Sequence, residues 1–321
     1  KNTKNYCNIK KLNGDKLFSI IDIMTYSFPC QDLSTASYIH KKNGGMARGA
    51  GTRSGLLWEV ERLLYERKDK NMKMPKFLVM ENVISIESAK NKPHFEEWKQ
   101  SLENLGYYNK IYHLCANDFG IPQVRHRIIM ISIFTSKNEK IDDMLDKYFV
   151  KNNLENSEQR KKYINEKKSL DNLLCLNYFN NKYLFEALDS QPNRTPSREK
   201  IFRENQILVV NDIDIVQKEI KTITTRQDRN PNSGVIMFSK TNKNYFRYLT
   251  PRECFMLMGF EESDFDKLNE RNLYVYNKVK LFNKYNLYKL AGNSIVVNML
   301  QPIFEQILEI KKIIERTKQN D

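Results

Sequence analysis

The sequence predicts an α/β fold, with a doubly wound sheet in one domain and a second, smaller and irregular domain. Over the first part of the chain, short apolar runs typical of strands alternate with amphipathic helical stripes, a pattern that favours a sheet covered by helices. From residue 136 to residue 244 the periodicity fades and Asn and Lys dominate, which indicates a separate domain. The 321 residues suffice for one large core and a smaller domain.

The elements follow from the apolar pattern. Short apolar runs predict strands at residues 20–28, 77–80, 111–114 and 128–134. Apolar residues at helical spacing predict helices at residues 56–64, 94–105 and 296–316. A further helix is predicted after Thr250, because Thr250 and Glu253 form a capping-box pattern, Pro251 takes the first helical position and Gly259 ends the helix. The predicted domains are residues 1–135, residues 136–270, and a C-terminal segment 271–321 that returns to the first domain.

Composition favours a nucleic-acid partner. The 53 Lys and Arg against 39 Asp and Glu leave a formal charge of +14, which suits a protein that neutralises phosphates. A sequence rich in Lys, Asn and Ile, as an AT-rich genome produces, would also be basic. The five cysteines are widely spaced and form no Cys-x-x-Cys pair, and the four histidines form no His-x-x-x-His pattern. We therefore expect no metal site and a reducing cytoplasm.

Several residue types that can carry chemistry lie at or near predicted strand ends. Tyr26-Ser27-Phe28-Pro29-Cys30-Gln31 places a cysteine after the first strand, at the sheet edge where open α/β folds bind ligands. Glu81 follows the next strand, and Arg125 and Arg127 lie two apart on an extended segment, so that they point the same way. Each has a plainer interpretation: Cys30 as a core residue, Glu81 as part of a helix cap, and the arginines as phosphate contacts or part of a solvated strand edge.

The order of five blocks closely resembles the DNA cytosine-C5 methyltransferases of bacterial restriction–modification systems. The blocks are the Cys30 tract, Glu81-Asn82-Val83, Gln123-Val124-Arg125-His126-Arg127, Arg247-Tyr248-Leu249-Thr250-Pro251-Arg252-Glu253-Cys254 and Gly292-Asn293-Ser294-Ile295-Val296. The resemblance implies a Rossmann-like methyltransferase sheet with a target-recognition domain. It also implies methyl transfer from S-adenosylmethionine to C5 of a cytosine flipped out of double-stranded DNA. In that reaction Cys30 would add to C6, Glu81 would contact N3, and Arg125 and Arg127 would reach O2 and hold the adduct.

The binding residues are implied by the same resemblance. The glycine- and cation-rich residues 41–55 match a loop that closes over DNA, and residues 222–234 match the end of the recognition region. The implied DNA-binding residues are Gln31, Ser34, Lys41, Arg48, Arg53, Thr224, Arg226, Gln227, Arg229 and Asn232. The implied cofactor-binding residues are Pro29, Asn8, Leu57, Asn293 and Ser294, the last two at the opening of the final helix.

One block of the family is not found in this sequence: the Phe-x-Gly-x-Gly turn that helps to bind the cofactor. Asn8 also stands where the family usually has aspartate. Because the chain begins at Lys1 and not at methionine, we expect the turn to come from a preceding segment or from a separate partner polypeptide. Two alternatives stay open: a non-catalytic DNA-binding subunit of a split methyltransferase, and an RNA cytosine-C5 methyltransferase of the same fold.

Overall fold

The computed structural model of the protein describes residues 4–29, 33, 45–164, 166–241, 245–276 and 279–319. Its contacts divide the chain into two compact units. The first comprises Lys1–Leu114, His126–Arg160 and Ile303–Asp321, and the second comprises Cys115–Arg125 and Lys161–Pro302. These limits differ from the predicted boundaries at residues 135 and 270, because residues 136–160 belong to the first unit and residues 115–125 to the second. Of the predicted C-terminal segment 271–321, only residues 303–321 return to the first unit, and residues 271–302 belong to the second.

The first unit contains a sheet to which four strands contribute among the described residues. Strands β1, β2, β3 and β5 are Ile23–Tyr26, Phe77–Asn82, Tyr107–Cys115 and His126–Phe134, and strand β4 (Gln123–Val124), between β3 and β5 in the chain, belongs to the second unit. The sheet has the order β1-β2-β5-β3, with β1 parallel to β2 and β2 antiparallel to β5. Strand β2 extends two residues beyond its predicted end at Met80, so Glu81 lies inside the strand and its side-chain direction is fixed by the sheet.

Helices α1 (Leu57–Asp69) and α2 (Lys92–Asn104) pack their apolar residues into the core of this unit. Leu64 of α1, Trp98 of α2 and Met80 of β2 are buried in one hydrophobic cluster. The predicted limits, residues 56–64 and 94–105, locate both helices but end α1 too early. Charged residues occupy its last turn, where apolar periodicity gives no signal.

Helix α3 (Glu139–Lys151) explains why the first unit extends past residue 135. Its buried residues Ile141, Leu145 and Phe149 recur every four positions, and the ring of Phe149 stacks on Tyr108 of β3 at 6.0 Å between centroids. The sequence contains this spacing, but the helix was not predicted because Lys and Asp residues surround the three apolar positions. The short helix α4 (Ser157–Arg160) follows in the same unit.

The second unit contains short strands and helices. Strands β6 to β10 are Ile207–Val210, Asp214–Ile215, Ile220–Lys221, Val235–Met237 and Phe246–Arg247, and β11 (Tyr274–Tyr276) and β12 (Val279–Lys280) form an antiparallel pair. One sheet has the order β10-β9-β6-β7, and β4 pairs in parallel with β8. Helices α5 to α7 are Leu170–Leu173, Asn181–Asp189 and Pro196–Glu204, and α8 to α10 are Pro251–Met256, Glu262–Glu270 and Lys284–Asn293.

The helix predicted after Thr250 is confirmed. Helix α8 has Thr250 as N-cap, Pro251 in its first turn and a reciprocal capping box with Glu253. Gly259, at φ +84°, follows its last turn, a conformation that glycine adopts without strain.

The final helix, α11 (Val297–Gln319), carries Pro302 in its interior. The prediction that residues 292–294 open this helix is wrong: Asn293 is the last residue of α10 and Ser294 is its C-cap. Apolar residues continue at helical spacing through both helices, so the pattern alone did not show the break. In the part of the chain that the structure describes, no helix is long and apolar enough to cross a membrane.

Candidate active site

Glu81 and Arg127 form an ion pair on one face of the sheet in the first unit. Glu81 is paired with Ile129 in the β2–β5 register, and Arg127 is two residues from Ile129, so it is the diagonal neighbour of Glu81 on that face. Arg127 Nε lies 2.9 Å from Glu81 Oε1, and both side chains are only 12% exposed. Arg127 Nη1 also donates to the His126 carbonyl. The carboxylate and the guanidinium therefore hold each other in one orientation.

The other carboxylate oxygen of Glu81 faces the segment that leads to Cys30. Ser27 Oγ lies 3.4 Å from Glu81 Oε2, because the parallel register that pairs Tyr26 with Met80 brings the next residues of both strands together. A contact of this length is a weak hydrogen bond. It nevertheless places the predicted acid beside the residues that precede the predicted nucleophile.

Two buried side chains hold the backbone just before Cys30. Asn82 Nδ2 donates to the Phe28 carbonyl at 3.2 Å, and Ser54 Oγ donates to the Pro29 carbonyl at 2.6 Å. Phe28 itself is buried in the core. Cys30, Gln31, Ser34 and Lys41 lie outside the described residues. The backbone that leads to Cys30 is thus described as far as the Pro29 carbonyl.

Arg48, a predicted phosphate contact, is engaged within the protein. Its Nη2 lies 2.6 Å from Glu61 Oε1, its Nε donates to Glu97, and its guanidinium carbon lies 3.7 Å from the centre of a Trp58 ring. These carboxylates hold the pKa of Arg48 above its ordinary value. In this structure Arg48 anchors the end of the glycine-rich segment to α1 and α2, although Arg48, like Arg53, is exposed.

The predicted cofactor-binding residues differ in what they can offer a ligand. In the first unit Pro29 is half-buried and Leu57 is fully buried in the core. The Asn8 oxygen accepts from the Lys10 N–H and caps a short turn. In the second unit Asn293 is exposed, and Ser294 Oγ donates to the Leu290 carbonyl at 2.8 Å. Pro29 and Asn293 thus have surface available to a cofactor, and Leu57 has none.

Arg125 is 2% exposed, and its two terminal nitrogens donate to the carbonyls of Ile223, Gly292 and Ser294 at 2.9 to 3.0 Å. All these groups lie in the second unit. The guanidinium holds protein carbonyls in this structure, although its sequence pattern predicted contact with a base.

Residues 222–234 divide into exposed and buried side chains. Arg226, Arg229 and Asn232 are exposed, and Thr224 is half-buried. Gln227 is fully buried, and its amide nitrogen donates to Ser233 Oγ. Gln227 therefore supports this segment from within, which its neighbours in the sequence did not indicate.

The Arg247 block is built around a fully buried ion pair. Arg247 Nη1 and Nη2 each lie 2.8 Å from an oxygen of Glu253, which also accepts from the Thr250 and Cys175 N–H groups. Burial raises the pKa of Glu253, but Arg247 and these donors outweigh it and hold the pKa below its ordinary value of 4.5. The block is therefore a structural centre of the second unit.

Sequence reasoning missed Ser27 and Ser54 as functional candidates and placed Asn82 only in its block. Serine in a loop is common, and no spacing relates Ser54 to Pro29. The signal that could have found Ser54 is its position at the junction of the glycine-rich segment and α1, where a buried polar residue needs a partner.

Comparison with known proteins identifies the family. A family model described as C-5 cytosine-specific DNA methylase matches residues 1–309. The orphan methyltransferase M.SssI of Spiroplasma monobiae is 36% identical over 292 residues, which cover 89% of this chain and 66% of that protein. The type II methyltransferase M2.ScrFI of Lactococcus lactis subsp. cremoris is 30% identical over 324 residues, which cover 95% and 71%.

Solved structures share the fold. The Entamoeba histolytica methyltransferase EhMeth superposes with a TM-score of 0.57 at 17% identity, covering 94% of this chain and 82% of that one. The S. pombe Dnmt2 methyltransferase gives 0.54 at 18% identity with the same coverage. The predicted Rossmann-like methyltransferase fold is confirmed. From the family model and these relatives, we conclude that this chain belongs to the C-5 cytosine-specific DNA methylase family.

Proposed function

We propose that this protein uses S-adenosylmethionine to methylate C5 of a cytosine flipped out of double-stranded DNA. The observation that carries the proposal is the Glu81–Arg127 pair, which lies beside the backbone leading to Cys30. A carboxyl held by a guanidinium, together with a thiol, provides the groups that activation of a cytosine ring requires. Family membership and the methyltransferases among the relatives support the same reaction.

In the proposed reaction the Cys30 thiolate adds to C6, and the electrons of the C5–C6 double bond move to C5. Glu81 gives a proton to N3, while Arg127 holds the carboxyl in place and approaches the base from the same face of the sheet. S-adenosylmethionine, when bound, supplies the electrophilic methyl group that C5 takes up. Loss of the C5 proton to solvent then re-forms the C5–C6 double bond and expels the Cys30 thiolate, and N3 returns its proton to Glu81, which restores both the ring and the acid.

The biological setting is part of the proposal. The type II methyltransferases among the relatives support a role in restriction–modification, and we place the action on DNA of the bacterial nucleoid. The net charge of +14 suits a duplex, whose phosphates it would neutralise. The source of the family's Phe-x-Gly-x-Gly turn stays a prediction, and mixing the protein with a separately expressed turn-containing segment would test the partner hypothesis.

The direct test is transfer of a labelled methyl group from S-adenosylmethionine to duplex DNA. A duplex carrying 5-fluorocytosine should trap a covalent adduct, because fluorine at C5 cannot leave as a proton does. We expect Cys30→Ser to lose transfer and trapping but to keep DNA binding, and the exposed Cys7→Ser to keep all three. An adduct formed by the Cys30→Ser variant would refute the assignment of the nucleophile.

Competition distinguishes the substrates. Equal concentrations of duplex DNA and transfer RNA should leave the label in the DNA. Label in the RNA would favour the RNA methyltransferase, and DNA binding without any transfer would favour the non-catalytic subunit.

A further inference from the structure

Both backbone polar groups of Ile223 form hydrogen bonds with side chains of residues 123–125, which belong to the same unit. The Ile223 N–H donates to Gln123 Oε1 at 3.1 Å, and the Ile223 carbonyl accepts from Arg125 Nη1 at 2.9 Å. Beside it, Thr222 Oγ1 donates to the Val124 carbonyl at 2.7 Å. Strand β4 also pairs with β8 directly before these contacts. The start of the 222–234 segment is therefore fixed to Gln123, Val124 and Arg125.

The same guanidinium reaches the connection that follows α10. Arg125 Nη2 donates to the carbonyls of Gly292 and Ser294 at 3.0 and 2.9 Å. One buried cation thus joins two segments that are far apart in the sequence. Because a buried charge that loses its acceptors is costly, the two segments are favoured in this one arrangement.

Gly292 brings the two segments together directly. A Cβ atom at this position would lie 2.4 Å from the Thr225 nitrogen and 2.7 Å from the Thr224 oxygen. These are backbone atoms, which cannot move aside as a flexible side chain can. The glycine is required here for close approach, because its backbone packs against the residues that follow Ile223.

We propose that Arg125 is a positioning residue that couples DNA reading by residues 222–234 to cofactor binding at residues 292–294. This assignment replaces the base contact predicted from sequence, and it rests on the proposed function because that function gives the two segments their roles. A cofactor that orders residues 292–294 would, through Arg125 and Gly292, order residues 222–225. By linkage, bound DNA would raise the affinity for the cofactor by the same factor.

The measurement is the ratio of two dissociation constants for a duplex that the wild-type protein methylates, without and with saturating S-adenosylhomocysteine. Fluorescence anisotropy of the labelled duplex gives both values. We expect a wild-type ratio of at least about five, the low end of typical couplings. Arg125→Lys and Gly292→Ala should bring the ratio close to one. Arg125→Lys removes guanidinium hydrogen bonds that join the two segments, and Gly292→Ala prevents their close approach.

Two variants make the result specific. Gln123→Met removes the contact with the Ile223 N–H on the recognition side, together with the hydrogen bond from Gln123 Nε2 to the Leu257 carbonyl. It leaves Arg125 and its contacts with residues 292 and 294 in place, and so should leave cofactor affinity in the absence of DNA unchanged. Arg160→Lys changes another buried arginine, which donates to the Leu154 and Glu155 carbonyls in the first unit; it should lower the melting temperature and keep the ratio. If Arg125→Lys does not fold, Gly292→Ala carries the test.

A ratio of one in the wild-type protein would overturn the coupling. So would a ratio that stays at the wild-type value in both Arg125→Lys and Gly292→Ala. Failure of the proposed function would give a different result, because the wild-type protein would then transfer no methyl group to DNA.

Discussion

Glu81 and Arg127 are diagonal neighbours across the antiparallel strands β2 and β5, with 2.9 Å between Glu81 Oε1 and Arg127 Nε. The relationship arises from strand register, because every second residue of a strand faces the same side of the sheet. Two blocks that are far apart in the sequence thereby contribute one acid and one cation to the same place. The proposed proton transfer depends on this pair.

Replacement of Glu81 by Gln should lower kcat about 10²- to 10⁴-fold, because the amide keeps the size of the side chain but has no proton to give to N3. Steady-state kinetics with labelled cofactor measures the loss. Arg127→Lys keeps the charge but not the fixed geometry of the guanidinium, and we expect a smaller loss. Wild-type kcat in Glu81→Gln would contradict the assigned role.

Arg48→Met should destabilise the protein while leaving the salt dependence of DNA binding unchanged. The Arg48 side chain is 46% exposed, so we expect only about 0.5–1 kcal/mol, measured by urea unfolding. Arg53→Met is the matched control, because it changes another exposed arginine of the same segment. A fall of about one in the salt slope for Arg48→Met would show that a DNA phosphate replaces Glu61 and Glu97 when DNA binds.

Among residues 222–234, exposed and buried side chains should behave differently. Alanine at Arg226, Arg229 or Asn232 should reduce discrimination between target sequences by about 1–3 kcal/mol for each good base contact. Gln227→Ala should instead cost about 1–3 kcal/mol of stability, because it leaves Ser233 buried without this partner. Binding to matched and mismatched duplexes, together with thermal unfolding, separates the two effects. Full discrimination in all three exposed variants would exclude direct reading by these side chains.

Arg247→Met should be strongly destabilising. It leaves the Glu253 carboxylate fully buried without its cation, which costs about 3–5 kcal/mol. Addition of Glu253→Gln should recover part of the loss, because it removes the buried unpaired charge while the amide oxygen still accepts from one of the two N–H groups, that of Thr250 or that of Cys175. Chemical unfolding of the single and double variants measures the difference. A double variant less stable than Arg247→Met alone would contradict this account.

His113 should make stability fall as the pH rises above neutrality. Burial lowers the pKa of His113, but the hydrogen bonds with Glu87 and Glu155 outweigh it and hold the pKa above its ordinary value of 6.5. The stabilisation is therefore complete below pH 6.5 and is lost as the pH passes through the raised folded-state pKa. NMR titration of the imidazole and melting temperatures from about pH 6 to about pH 9 measure it. A pH-independent difference from His113→Asn would contradict the prediction.

The sequence predicted well those features that depend on contacts between residues close together in the chain. The α8 start is an example, because Thr250, Pro251 and Glu253 act within one turn. Glu81 and Arg127 were expected to lie in the same site, but a contact between them was not predicted, because neither block of sequence shows the register of the two strands. The anchoring of Arg48 and Arg125 could not be predicted, because their partners Glu61, Glu97, Ile223 and Gly292 are separated from them by intervening elements. An arginine in a basic stretch has the same local pattern whether it binds phosphate or protein.

The chain passes between the two units at residues 114/115, 125/126, 160/161 and 302/303. A chimera that takes only residues 161–302 from a relative would therefore import an Ile223 equivalent without the Gln123 and Arg125 that hold it. Specificity in this architecture should be transplanted as two discontinuous pieces, with the eleven-residue stretch from Cys115 to Arg125 included. Engineers who exchange the long piece alone should first restore compatibility at positions 123 and 125.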